Sequence, residues 1–292
     1  ITFLYLTASL PFLVRLSVTS TYDSLVYLLG TLVLYISIDL FWEPASFSIR
    51  KSSCRQRLIL LFGALVLGLM TKYNCLLFFG FPFIVLFVRC NLNQFYRYAA
   101  TISIVCLLAI ATVTPFYYQR YYATTGKWMP MGMDWVIHSK LKSLRAERDK
   151  SSVAFSIVHM IRIPLTPFLS KFPVSDSLPH TLWFETWKNA RYPRMGVKYI
   201  SDIYVHLFIP IFGLGLLSFL ARYRKRGSAL SDFGWILTGC TLIFVIALLR
   251  LGYEYPYFPW RMFKAKYVPI AVIWIGYMSA LGITIIATLP KN

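Results

Sequence analysis

The chain has 292 residues, of which 58% are hydrophobic, 17% aromatic and only 14% charged, with a mean hydropathy of +0.60. That balance belongs to a polytopic membrane protein and excludes an ordinary soluble domain. A net charge of +19 would fit nucleic acid if the cations formed a basic domain. They lie instead in loops between apolar runs, which points to membrane orientation and anionic lipid, with no nucleic-acid partner.

Residues 1–16 read as the end of one span. Ile1 already lies inside an apolar run, with no cationic stretch or small-residue cleavage site after it, so the sequence reads as the C-terminal part of a longer protein. The polar break Val18-Thr19-Ser20-Thr21-Tyr22-Asp23-Ser24 follows. A carboxylate at the mouth of a membrane helix is costly unless it meets water, a cation or a partner, which makes Asp23 a candidate functional residue. The plainer reading is a helix N-cap before Leu25.

Apolar runs long enough to cross about 30 Å of hydrocarbon occur at 24–42, 97–116, 203–221, 232–250 and 268–289. The stretch 58–89 is interrupted by Thr71-Lys72-Tyr73-Asn74 and reads as two helices meeting at that break. Together with residues 1–16 this predicts about eight transmembrane helices. Lys72 either snorkels to the headgroups or offers a point charge to an anion at the membrane surface.

Residues 117–202 carry thirteen Lys/Arg and six Asp/Glu and read as one large extracytoplasmic loop containing short interfacial helices. Within it, residues 151–169 are apolar enough to resemble a span. His159, Arg162, Pro164 and Pro167 favour an interfacial or re-entrant helix. Trp183 and Trp187 are i and i+4, so a helix places both on one face, either anchored at the interface or stacking on a sugar. Glu185 between them is a weaker acid/base candidate.

The last outer loop contains Trp260-Arg261-Met262-Phe263-Lys264-Ala265-Lys266-Tyr267. Three cations within six residues, just before a helix start with its outward N–H groups, suit a phosphate or pyrophosphate at headgroup level. An aromatic belt with charged anchors accounts for the tyrosines and Trp260, less well for the cations. The orientation follows from the loops. Arg50, Lys51, Arg55, Arg57, Arg89, Arg97, Arg222, Arg224, Lys225, Arg226 and Lys291 share one side, cytoplasmic by the positive-inside rule. Asp23, the Thr71–Asn74 break, 117–202 and 251–267 fall on the other. The organisation is thus 1–116 transmembrane, 117–202 extracytoplasmic and 203–292 transmembrane. The five cysteines have no metal-ligand spacing and indicate neither zinc nor a disulfide framework.

Three stretches resemble the GT-C superfamily of integral-membrane glycosyltransferases, especially its protein O-mannosyltransferase-like and aminoarabinose-transferase-like branch. Pro11–Leu29 looks like that family's second outer acidic site and the span after it. Gly68-Leu69-Met70-Thr71-Lys72-Tyr73-Asn74 is similar to its small-Leu-x-Thr-Lys break, and Phe263-Lys264-Ala265-Lys266-Tyr267-Val268-Pro269 to its basic-Tyr-x-x-Pro segment before a late span. The Trp183–Trp187 stretch matches more loosely. The family's principal catalytic acid lies in a first outer loop that here would precede Ile1.

The resemblance implies transfer of a sugar from a polyprenyl phosphate to a glycan, lipid or protein acceptor outside the plasma (inner) membrane or in the endoplasmic reticulum. It implies that Lys72, Arg261, Lys264, Lys266 and Tyr267 hold the lipid phosphate. Asp23 then acts at the catalytic site, orienting the acceptor, binding a divalent cation (Mg or Mn, in the branches that use one) or supporting the base of the first outer loop, with Trp183, Glu185 and Trp187 contacting acceptor or sugar. The competing readings are a transporter or flippase of an anionic lipid or solute, using the same outer cations, and a non-catalytic membrane subunit.

Overall fold

A computed structural model describes residues 22–126, 198–222, 228–254 and 269–288. Among them the secondary structure is entirely helical. Five of the helices are long and apolar enough to cross a membrane, as expected where only hydrogen bonds made within the segment can satisfy the backbone. Six hydroxyls in these helices follow the same rule, whereas those of Thr241 and Ser279 are buried without a partner among the described residues. Ser37, Thr71, Thr112, Thr114, Thr238 and Thr284 each donate to the carbonyl four residues earlier, at 2.6–2.8 Å. The chain forms two compact units, one from residues 21–150 and one from residues 1–20 and 151–292.

In the first unit, α1 (Tyr22–Phe41), α2 (Ser52–Thr71), α3 (Gly80–Arg89) and α4 (Leu92–Val113) close a ring of contacts. α1 packs on α2 and α3, and α4 packs on the other sides of both. Val33, Phe41, Leu61, Phe81, Leu86 and Ile102 fill its middle. Leu28, Ile59 and Leu107 face outward, on a surface suited to lipid rather than water.

The boundaries depart from the apolar runs in instructive ways. α2 starts at Ser52, not near 58, and α4 at Leu92, not near 97. α4 begins where Asn91 and Gln94 form a reciprocal capping box, so hydrogen bonding carries that helix into polar sequence; α2 starts without a side-chain cap. Past Val113, helix continues through a π-helical turn, Thr114–Tyr118, into α5 (Gln119–Thr125). Pro115 lacks an N–H and crowds the preceding turn, which explains the widening there. Gly126, at φ 69°, closes α5 in the left-handed conformation. The first residues of the expected outer segment 117–202 are therefore helical.

The second unit comprises α6 (Lys198–Arg222), α7 (Ala229–Glu254) and α8 (Pro269–Thr288), with α8 packed against both others. α6 reaches α8 at two glycines. A β-carbon on Gly215 would lie 1.8 Å from the Met278 carbonyl oxygen, and one on Gly282 would lie 2.0 Å from that of Ile211. Small residues let helix backbones meet in this way inside membranes. On the other side Tyr277 Oη donates to the Leu230 carbonyl at 2.6 Å and Trp274 Nε1 to Thr238 Oγ1 at 2.9 Å. These pairings run α7 and α8 in opposite directions.

Candidate functional site at the helix break

The break expected at Thr71–Asn74 occurs at Lys72. α2 stops there with Lys72 extended, at φ −163° and ψ 137°. A 3₁₀ stretch, Tyr73–Phe79, then leads into α3. Two backbone bonds hold the corner. The Lys72 N–H donates to the Gly68 carbonyl at 2.9 Å, and the Cys75 N–H to the Lys72 carbonyl at 3.0 Å. Gly68 has a specific part in this. A β-carbon there would stand 3.1 Å from Cys75 Cβ, so a small residue four before the lysine lets the chain turn back against the last turn of α2. The Lys72 residue is half-buried at this corner.

From the corner the chain returns to the opposite end of the unit. Seven 3₁₀ residues and ten α-helical residues cover about 14 Å and about 15 Å of rise respectively. Arg89, at the end of that path, donates through Nε to the Trp42 carbonyl at 3.2 Å, and its guanidinium stacks 4.4 Å from the centre of the Trp42 ring.

The structure puts Asp23 and Lys72 at the same end. Asp39 and Arg57 form an ion pair at 2.6 Å, so the last part of α1 lies beside the first part of α2. Asp23 is sixteen residues before Asp39, and Lys72 fifteen after Arg57. At about 1.5 Å per residue both stand roughly 23 Å from that pair. Asp23 is the second residue of the described α1, placed where a helix dipole favours negative charge. An acidic and a basic residue thus share one end of the unit, one opening a helix and the other closing its neighbour.

The other sequence candidates, Trp183, Glu185, Trp187, Arg261, Lys264, Lys266 and Tyr267, lie outside the described residues, as does the stretch 151–169. Among the described residues, no group of three or more His, Cys, Asp or Glu side chains could hold a metal ion. All five cysteines are free thiols. Cys90, just past α3, is no ready nucleophile, because burial pushes its thiol up to about 11 against the lowering effect of Arg89.

Sequence reasoning missed the polar network at the opposite end. Asp39, an acid near the end of an apolar run, pairs with Arg57, which also donates to the Asp39 carbonyl at 3.4 Å. Tyr98 Oη donates to the Pro44 carbonyl at 3.0 Å, and its ring packs with those of Phe41 and Phe47. The available signal was the placement of Asp39 and Arg57 on facing ends of consecutive helices. Comparison with protein-family models, curated proteins and solved structures finds no match for the chain.

Proposed function

We propose that this chain belongs to an integral-membrane glycosyltransferase that moves a sugar from a polyprenyl-phosphate donor to an acceptor on the extracytoplasmic face. The observation that carries the reading is the helix break at Lys72, held at the same end of the unit as Asp23. A cation fixed at such a corner is suited to the phosphate of a lipid carrier, whose apolar tail extends into the bilayer beside it. In this reading the path from Lys72 to Arg89 is a complete crossing, and eight crossings make up the chain.

The acceptor hydroxyl attacks the anomeric carbon as a base removes its proton. The glycosidic bond to the lipid phosphate breaks, and the phosphate leaves carrying the negative charge. In this reading Lys72, Arg261, Lys264 and Lys266 have the role of stabilising that charge as it develops, and Tyr267 takes part in binding the phosphate. Asp23 orients the acceptor. Trp183 and Trp187 offer faces for the sugar, and Glu185 lies between them.

The test is sugar transfer from a polyprenyl-phosphate donor by the reconstituted protein. Lys72→Ala and Arg261→Ala are each expected to lower turnover by about a hundredfold, with normal membrane insertion, and Lys72→Arg to retain part of it. Unchanged turnover in both alanine variants removes the phosphate-binding assignment. The interrupted passage at Lys72–Phe79 also fits a transporter of an anionic lipid, since such proteins use broken helices at their sites. Lipid translocation without sugar transfer in the same vesicles would select that reading.

A further inference from the structure

The end of the first unit opposite Lys72 carries two kinds of cation. Arg57 is committed to Asp39, and Arg89 to the Trp42 carbonyl and ring. Arg50, Lys51, Arg55 and Arg97 are exposed instead, with the Lys51 ammonium donating to the Ser46 carbonyl at 3.2 Å. Lys51 and Arg55 are one turn apart at the start of α2, with Arg50 just before them. Arg97 stands in the second turn of α4, the helix packed against α2. The acids of this end are Asp39, which is paired, and Glu43.

Large exposed apolar side chains stand in the same stretches of sequence: Ile49, Ile59, Leu60, Leu92 and Tyr96. Leu92 is 71% exposed and Tyr96 69%. Cations interleaved with bare apolar groups at the ends of two membrane helices fit the headgroup boundary. There the apolar parts enter the acyl layer while the charges stay with the phosphates.

We propose that Arg50, Lys51, Arg55 and Arg97 form a docking surface for the phosphate headgroups of anionic phospholipids in the leaflet this end faces. Arg57 and Arg89 take no part, because their charges serve the protein's own groups. The surface is separate from the lipid-phosphate role assigned to Lys72, and it stands whichever reading of that end is right. Its logic is charge complementarity. Four exposed cations gather in a short stretch of boundary, and anionic lipid is the negatively charged partner a membrane supplies there.

The experiment reads lipid composition. The protein is extracted from vesicles of equal phosphatidylglycerol and phosphatidylcholine, and the lipids retained with it are measured by mass spectrometry. Wild type is expected to enrich phosphatidylglycerol at least about fivefold, and the enrichment to fall as sodium chloride rises from about 0.05 to about 0.5 M. The R50Q/K51Q/R55Q/R97Q variant should approach parity, whereas Arg57→Gln should keep the wild-type ratio. Equal retention of the two lipids by wild type, or unchanged enrichment in the quadruple variant, overturns the proposal. The wild-type salt series decides the matter if the quadruple variant fails to insert, since salt-insensitive enrichment also refutes it. Inorganic phosphate at about 10 mM distinguishes the sources of the anion by competition. Enrichment that survives it supports a lipid surface, and enrichment abolished by it assigns the cations to free phosphate instead.

Discussion

The two units hold their helices together by different means. In the first, three long-range polar contacts stand together at one end: Asp39 with Arg57, Arg89 with Trp42, and Tyr98 with Pro44. In the second, backbones approach closely at Gly215 and Gly282, and Tyr277 and Trp274 bond to α7 from the middle of the apolar α8. The difference teaches where stability can come from in lipid. Burying one apolar side chain against another gains little where the alternative is an equally apolar tail, so close packing and polar contacts must supply specificity. One unit places the polar contacts at the boundary, and the other places tight packing within the span.

Four sets of experiments sharpen or break this contrast, beside the Lys72 and Arg261 tests. The largest effect belongs to Gly215→Ala and Gly282→Ala. Each new β-carbon would overlap a carbonyl oxygen of the facing helix, and backbone cannot step aside as a side chain can. A loss of ~3 kcal/mol or more is expected, read as unfolding in mixed micelles. Gly63→Ala and Gly213→Ala, with nothing within 4 Å of the added carbon, are the controls and should be neutral or slightly stabilising. Equal losses at all four positions would end the close-packing account.

Next comes Gly30→Ala. The added carbon would lie 2.6 Å from Phe78 Cζ, and Phe78 is almost fully buried. Its ring can shift only by displacing neighbours such as Phe81, so ~1–3 kcal/mol is expected from the same unfolding measurement. A neutral result would show that the 3₁₀ stretch moves readily against α1.

Cys90 probes how well the polar end excludes water. With its thiol raised to about 11, it stays protonated at pH 8 and gains thiolate as the pH climbs. Alkylation followed by site-resolved mass spectrometry should be roughly tenfold or more slower than for an unperturbed thiol at pH 8. The rate should still be rising above pH 10. A plateau near pH 9 would mean that this end is open to solvent.

The smallest effects are expected from single polar contacts. The Asp39–Arg57 pair is more than a third exposed on both sides, so Arg57→Gln should cost no more than ~1 kcal/mol. Tyr277→Phe, which removes the 2.6 Å bond to Leu230, should cost about 1 kcal/mol. A far larger loss from Arg57→Gln would make the boundary contacts, rather than packing, the main support of the first unit.

The sequence alone determined a good deal. Hydropathy over some twenty residues marks a membrane helix without reference to any neighbour, because the backbone must bond within its own segment. The polar residues Thr71–Asn74 located the break for the same local reason. Nothing in the loop sequence announced that Asp39 would pair with Arg57, Arg89 with Trp42 or Tyr98 with Pro44. Only the tertiary structure decided which side chains meet. That Gly68 makes room for Cys75, Gly30 for Phe78 and Gly215 for Met278 is a property of facing surfaces, and a glycine in an apolar run looks the same whether it is packed or bare. The level shared by Asp23 and Lys72 likewise rests on how α1 and α2 pack against each other, with the Asp39–Arg57 pair marking their alignment at the far end. Membership of the bilayer is written residue by residue, whereas the choice of neighbour depends on shapes that exist only once the helices have come together.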